Sequence, residues 1–174
     1  MGAFIDLLLE RGYEKVSVAD LVERANVGRS TFYAHYGGID GMLSQSLARP
    51  AGHLAAIVDG PPALDQVIWW LSHFKDQRRR NRAFFASPVR GVWARTLAEL
   101  IEPRLAGLIR ANRLPPPPLP LGLIAAQLAE GQLALIDGWL TLRPTAPAEA
   151  IAKALVATVQ ANLTALIGWS PGRA

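Results

Sequence analysis

Apolar residues recur along most of the chain at spacings of three and four, which is the pattern of amphipathic helices. The first such stretch places Phe4, Leu7 and Leu8 on one face of a helix from about Gly2 to Arg11. Gly12 follows where a helix favours a left-handed C-terminal cap. Alternating β-branched positions are scarce, and alanine and leucine dominate. The pattern therefore predicts an all-α fold.

Two short helices follow the first one. Ser17 is a predicted N-cap, and Asp20 three residues later completes a near capping box. The tight turn Asn26–Gly28 separates this second helix from a third, Arg29–Tyr36, which ends at Gly37–Gly38. Two short helices joined by a glycine-containing turn form a helix-turn-helix arrangement.

The apolar spacing in the rest of the chain predicts a larger helical body. Breaks are expected at Gly60–Pro62, Ser87–Pro88 and Pro115–Pro118, and Pro103 is expected to kink or restart a helix. The last two helices are long, about Leu121–Leu142 and Pro147–Ile167. We place a domain boundary within the fourth helix, near residues 45–50, which gives an N-terminal helix-turn-helix unit over 1–47 and a helical body over 48–174.

The third helix has two contrasting faces on a helical wheel. Phe32 and Tyr36 fall together and, with Val27, are expected to pack inward. The opposite residues are small, so the backbone can approach a groove floor, and their hydroxyl and methyl groups suit base edges and the thymine methyl. They are Ser30, Thr31 and Ala34. Arg29, Tyr33 and His35 flank them, where side chains reach phosphates. For Arg29, which begins the helix, the alternative is a bond to guanine, because recognition helices contact bases with their N-terminal residues.

These residues form part of a longer pattern. It consists of Gly12-Tyr13, Ser17-Val18, Leu21-Val22, Ala25-Asn26-Val27-Gly28-Arg29-Ser30-Thr31-Phe32-Tyr33, His35-Tyr36 and Met42-Leu43. This pattern resembles the tetracycline-repressor (TetR) family over roughly the first 47 residues. The resemblance implies an N-terminal unit that binds double-stranded operator DNA, a body that binds a small inducer, and a homodimer formed through the last two helices. The positions that resemble the family's DNA contacts are Ser17, Gly28, Arg29, Ser30, Thr31, Tyr33 and His35, and the helical wheel adds Ala34.

The sequence departs from the family pattern in three places. Ile39 stands where the family usually has a phosphate-contacting lysine, and Gly37–Gly38 replaces a stiffer turn. The residues that normally precede the first helix, often basic, do not precede Met1, so we expect either a start codon further upstream or a trimmed chain. Residues 1–45 carry four basic and six acidic side chains, a net charge of −2, whereas the whole chain has +4. Missing basic residues would weaken phosphate binding.

Large aromatic residues are concentrated in the body, where core packing competes with a binding role. Rigid aromatic faces line apolar pockets well. We expect some of the tryptophans Trp69, Trp70, Trp93 and Trp139 to line a pocket for a small, largely apolar or aromatic effector. The candidate polar contacts are His73, Asn112, Gln132 and Asp137.

The sequence gives little support for metal binding or catalysis. The chain has no cysteine, and His35, His53 and His73 form no metal-binding pattern, so we expect no metal and no cofactor. No nucleophile elbow, phosphate loop or dinucleotide fingerprint is present, so an enzyme is not expected. The basic run Arg78–Arg82 is interpreted as a solvated helix face, with an anionic ligand or a protein partner as the alternative.

The predicted location is the cytoplasm, without a membrane partner. Asp6 and Glu10 interrupt the first apolar stretch, and the best candidate span, Leu121–Leu142, contains four polar residues. The sequence thus predicts a ligand-responsive DNA-binding regulator, with repression as the expected response. The alternative is a helical small-molecule-binding dimer that has lost operator binding.

Overall fold

The computed structural model describes residues 2–60, 64–141 and 146–169, and in these ranges it is helical without strands. Nine α-helices are described: α1 Gly2–Arg11, α2 Val18–Ala25, α3 Arg29–His35, α4 Ile39–Ala55, α5 Leu64–Asp76, α6 Arg78–Phe85, α7 Val89–Asn112, α8 Leu121–Thr141 and α9 Ala148–Ile167. Short 3-10 turns lie at Tyr13–Lys15 and Ala56–Asp59. The all-α prediction is confirmed. The expected break at Pro61–Pro62 lies outside the described residues.

Local capping determines where the N-terminal helices begin and end. The Ser17 hydroxyl accepts from the Asp20 backbone N–H at 3.2 Å, and Asp20 Oδ2 accepts from the Ser17 backbone N–H at 3.1 Å. This is the predicted capping box, and it begins α2. Asn26 ends α2 in the left-handed conformation, with φ of 52°. Because asparagine tolerates this conformation, the tight turn into α3 forms where the sequence places it.

α4 connects the N-terminal helices to the body without a break. Its N-terminal half buries Leu43 and Leu47, and its C-terminal half buries Ala51 and Leu54 against the body. The proposed boundary at residues 45–50 therefore lies within one continuous helix, and the division into 1–47 and 48–174 stays a prediction.

The body is arranged around α7, which packs against α4 on one side and α8 on the other, while α9 packs against α5 and α8. α7 runs through Pro103 as a single helix, so the expected restart at this residue does not occur. The basic run forms a helix of its own, α6, which contacts α1 and α8. α6 therefore lies between the N-terminal unit and the far side of the body.

One described helix is long and apolar enough to cross a membrane by length and composition. It is α9 rather than the expected stretch Leu121–Leu142, whose last residue lies outside the described part of the chain. Only 33% of the apolar window of α9 is buried within the protein. A large apolar helix face thus stays uncovered in the protomer.

Candidate functional site

α3 presents its small residues to solvent and is held in place by one aromatic side chain. Phe32 is only 4% exposed and packs against Tyr36, with ring centroids 5.3 Å apart. The remaining residues of the helix are exposed: Arg29, Ser30, Thr31, Tyr33, Ala34 and His35. Gly28 is exposed as the N-cap of α3. The side chains predicted to contact DNA are therefore accessible, and their role stays a prediction.

Val27 does not pack inward, so that expectation is wrong: its side chain is 46% exposed. The reason is local. The Val27 backbone N–H donates to the Val22 carbonyl at 3.0 Å, which closes the left-handed C-cap at Asn26 and leaves Val27 in the turn, outside the core.

Ser17 is exposed, but its hydroxyl is already engaged in the capping box. The hydrogen bonds from Ser17, together with Arg11, hold the pKa of the Asp20 carboxyl below its usual value. Arg11 Nη1 donates to Asp20 Oδ1 at 2.9 Å. A contact between Ser17 and phosphate remains a prediction.

Glu10, one of the acidic residues of the N-terminal unit, is paired with a basic residue away from α3. Arg24 donates two hydrogen bonds to Glu10, at 2.9 and 2.8 Å, which join α2 to α1. The hydrogen bond with Arg24 lowers the pKa of Glu10. α3 itself has no acidic residue and includes Arg29 and His35. The unfavourable net charge of this unit is therefore not located on its exposed third helix.

A cavity of about 170 Å³ lies where the N-terminal helices meet the body. Five helices contribute to its lining, and none of the lining residues carries a charge. They are Ile5, Ser46, Leu47, Pro50, Trp70, Phe74, Asn81, Phe84 and Trp93. We refer to this space as the junction cavity. Trp70 and Trp93 lie perpendicular to each other in its wall, with ring centroids 5.8 Å apart.

The residues predicted for effector binding do not share one cavity. Trp70 and Trp93 line the junction cavity, but Trp69 is 64% exposed and stacks on His73 outside it. Trp139 donates its indole N–H to the Ala146 carbonyl at 3.1 Å. Adjacent helical residues point in different directions, so neighbouring tryptophans need not share neighbours.

Gln132 lies elsewhere again, in a cavity of about 250 Å³ between α8 and α9. Its side chain is 2% exposed, and neither amide atom has a hydrogen-bond partner among the described residues. The other two polar candidates have local partners: Asn112 donates to the Leu108 carbonyl, and Asp137 accepts from Thr141.

Seven of the nine residues that line the junction cavity were not predicted as effector contacts; they include Ile5, Ser46 and Asn81. Asn81 is buried, although it lies within the basic run that was interpreted as a solvated face. The burial of Asn81 was not predicted because the residues around it are charged. The only indication that this helix has a buried side was the apolar segment that follows, Ala83–Phe85.

The basic run is partly engaged within the protein. Arg78 Nε donates to the Leu140 carbonyl at 2.7 Å, and Arg80 lies 3.6 Å from the Asp6 carboxylate of α1. Arg82 is exposed, and the side chain of Arg79 lies outside the described part. Two of the guanidinium groups thus attach α6 to its neighbours. Within the described ranges, no group of three or more His, Asp or Glu side chains is placed to hold a metal ion.

A helix-turn-helix unit with an exposed third helix, carried on a larger helical body, is typical of DNA-binding transcriptional regulators. Residues 3–45 match the family model of bacterial regulatory proteins of the tetR family. The chain's fold is that of TetR-family transcriptional regulators, which confirms the resemblance seen in the sequence.

Two solved structures support this assignment. A TetR transcriptional regulator from Streptococcus agalactiae 2603V is 25% identical, with a TM-score of 0.55 over 91% of this chain and 89% of the other. The Thermus thermophilus FadR, a TetR-family transcriptional repressor crystallised with lauroyl-CoA, is 16% identical, with a TM-score of 0.56 over 99% and 96%. A comparison with curated proteins gives no match.

Proposed function

We propose that the protein is a cytoplasmic, ligand-responsive repressor that binds a palindromic operator as a homodimer and is released from it by a small effector. The observation that carries this proposal is the contrast on α3: Phe32 is buried, whereas Ser30, Thr31 and Ala34 face solvent. Small outward residues allow the helix backbone to approach the floor of the major groove. The functional class is regulation rather than catalysis.

The uncovered face of α9 supports a dimer. Two thirds of its apolar window is not buried within the protomer. The exposed residues include four alanines at helical spacing: Ala150, Ala157, Ala161 and Ala165. Such a surface permits close helix packing, and two copies of α8 and α9 related by a two-fold axis would form a four-helix interface. The same symmetry places two α3 helices in successive major grooves, about 34 Å apart.

The test of operator binding is selection of DNA from a random pool, followed by fluorescence anisotropy at two salt concentrations. We expect a palindromic site whose affinity falls as salt rises. Ser30→Ala should weaken specific binding about fivefold or more, because a hydrogen bond to a base edge is lost. Ser72→Ala on α5 is the matched control, since its exposed hydroxyl bonds only to the Ile68 carbonyl.

Ile39 favours a second candidate, a small-molecule-binding dimer without operator binding. This residue packs against the core, whereas the family usually has at this position a lysine that contacts phosphate. The same titration separates the two candidates. Absence of specific DNA binding at low salt, also after a basic segment is added ahead of Met1, supports the second.

A further inference from the structure

We propose that Arg95, on α7 of the body, contacts a backbone phosphate of the operator. The inference deepens the proposed function, on which it rests. It follows from the position of the Arg95 guanidinium at the edge of the helix-turn-helix unit, from the exposure of this side chain, and from the shortage of positive charge in the unit. Nothing in the sequence pattern places Arg95 there, because it belongs to the body.

The course of α7 brings Arg95 to the helix-turn-helix unit. Arg95 Nη2 lies 3.8 Å from Asp40 Oδ2, in the first turn of α4. Arg104, further along α7, pairs with Asp59 just beyond the end of α4, so the two helices run side by side in the same direction. Since α4 begins shortly after α3 ends at His35, the Arg95 guanidinium lies beside the segment that follows the recognition helix.

The connection between α1 and α2 meets the same point. The hydroxyl of Tyr13, which lies in this connection, donates a hydrogen bond to Asp40 Oδ1 at 3.3 Å. In the homeodomain, a three-helix variant of the helix-turn-helix, the connection between the first two helices and the end of the third helix contact the DNA backbone. Arg95 thus lies where the two corresponding segments of this protein come together, which is a position for a phosphate contact rather than a base contact.

The Arg95 side chain is available for such a contact. It is 65% exposed, and its distance of 3.8 Å from the Asp40 carboxylate is too long for a hydrogen bond. An exposed ion pair of this kind contributes little to stability, so it opposes a competing anion only weakly. The N–H donors of the guanidinium can therefore turn to a phosphate, which arginine binds through two parallel hydrogen bonds.

The charge balance of the helix-turn-helix unit gives an added cation a large effect. Residues 1–45 carry four basic and six acidic side chains. Two of the basic ones, Arg11 and Arg24, are paired with carboxylates of the same unit. Affinity for DNA rises steeply with the number of phosphates that cations neutralise. A guanidinium supplied by the body therefore adds substantially to the two other basic side chains, Lys15 and Arg29.

A purely structural ion pair with Asp40 is the alternative role of Arg95, and the two roles predict different signs. If Arg95 only attaches α4 to α7, loss of either partner should change DNA binding in the same direction. If Arg95 contacts phosphate, loss of its charge weakens binding. Loss of the Asp40 carboxylate then strengthens binding, because it frees the guanidinium and removes a repulsion between two anions.

The experiment is fluorescence anisotropy of the full chain with the selected operator DNA over a series of salt concentrations. We expect Arg95→Gln to lower specific affinity about fivefold and to reduce the slope of log affinity against log salt by about one per protomer. Arg104→Gln is the matched control, since it removes the same charge and the same kind of ion pair from the same helix, away from the unit. Affinity and slope should be unchanged in this control.

Two further variants separate a phosphate contact from a structural ion pair. Asp40→Asn should raise affinity about twofold, and its side-chain oxygen can still accept from the Tyr13 hydroxyl. Ile39→Lys, combined with Arg95→Gln, places a cation in the same first turn of α4 and should restore the wild-type slope. Gln45→Lys, combined with Arg95→Gln, adds this charge further along α4 and should not restore it.

Absence of specific DNA binding by the wild-type chain contradicts the proposed function, and the phosphate contact with it. Where the wild-type chain binds, three results overturn the phosphate contact alone. They are an unchanged slope in Arg95→Gln, weaker binding in both Arg95→Gln and Asp40→Asn, and an equal loss of affinity in Arg104→Gln. Thermal unfolding followed by circular dichroism confirms that the compared variants are folded.

Discussion

Phe84 of α6 packs edge-to-face against Phe4 of α1, with ring centroids 6.3 Å apart and ring planes at 61°. Both side chains are buried, and Phe84 also lines the junction cavity. The ion pair between Arg80 and Asp6 joins the same two helices. One wall of the cavity is therefore in direct contact with the first helix of the DNA-binding unit.

Phe4→Leu should reduce the coupling between effector and DNA. The substitution removes the aromatic contact while leaving the lining of the cavity intact. We expect a small effector that occupies the junction cavity to bind the free protein within about twofold of wild type, and its effect on DNA affinity to shrink by about 1 kcal/mol. Calorimetry and anisotropy measure the two quantities. Asp6→Asn removes the exposed ion pair and serves as the control; it should change the coupling between effector and DNA little. Wild-type coupling in Phe4→Leu would show that the contact between Phe4 and Phe84 does not transmit the effect of the ligand.

Phe32→Ala and Ser30→Ala should affect different properties. Phe32→Ala removes a buried ring and should lower the free energy of unfolding by about 3–5 kcal/mol, with loss of DNA binding. Ser30→Ala should weaken DNA binding and change stability by less than about 0.5 kcal/mol. Thermal unfolding and anisotropy distinguish the two effects. A strongly destabilised Ser30→Ala would show that this side chain packs inward.

Stability of the N-terminal unit should depend on the ionisation of Glu10. Because Arg24 lowers the pKa of Glu10 in the folded state, the pair stabilises the fold above the unfolded pKa of 4.5. This contribution is lost as the pH falls through the lowered folded pKa. Urea unfolding between pH 7 and pH 3 should show a shallower acid decline for Glu10→Gln. Glu14→Gln is the charge-matched control, and an identical pH profile for both variants would contradict the role of the pair.

Ala161→Glu should disrupt the dimer. The residue is exposed on α9 in the protomer, and a carboxylate there would be buried without a partner in a four-helix interface. We expect sedimentation velocity to show a monomer and specific DNA affinity to fall at least a hundredfold. Ala48→Glu on the exposed side of α4 introduces the same charge and should remain dimeric. A dimeric Ala161→Glu would place the interface elsewhere.

Ile39→Lys should strengthen DNA binding by restoring a cation where the family has one. We expect the slope of log affinity against log salt to steepen by about one. Gln45→Lys adds the same charge on an exposed position of α4 and serves as the control. If the salt dependence steepened equally in both variants, a lysine at position 39 would have no specific contact with phosphate.

The sequence was most informative where short-range chemistry decides the structure. The capping box at Ser17 and the left-handed residue Asn26 determine α2 and the following turn by local hydrogen bonds, so both could be predicted. The exposure of Val27 was predicted wrongly because a helical wheel does not extend past the left-handed cap at Asn26, where the direction of this side chain is decided. The roles of the α3 side chains depend on DNA and stay predictions.

The composition of the cavity depends on packing between distant segments. Trp69 and Trp70 are equally suitable by residue type, yet only Trp70 faces α7 and Trp93. Ile5 and Asn81 also line the cavity, although they lie far apart in the sequence: Ile5 belongs to the first helix and Asn81 to the basic run. No periodicity within one helix specifies such neighbours.

The uninterrupted course of α4 has a mechanical consequence. Its 17 residues form a lever about 25 Å long, with Ser46 and Pro50 beside the cavity and its first turn next to α3. The first turn lies about 10–16 Å along the helix from these two residues, so a tilt of about 10° around them would displace it by about 2 Å, which is comparable to the length of a hydrogen bond. A small change in the tilt of α4 is thus large enough to shift the neighbouring α3 by the length of one contact.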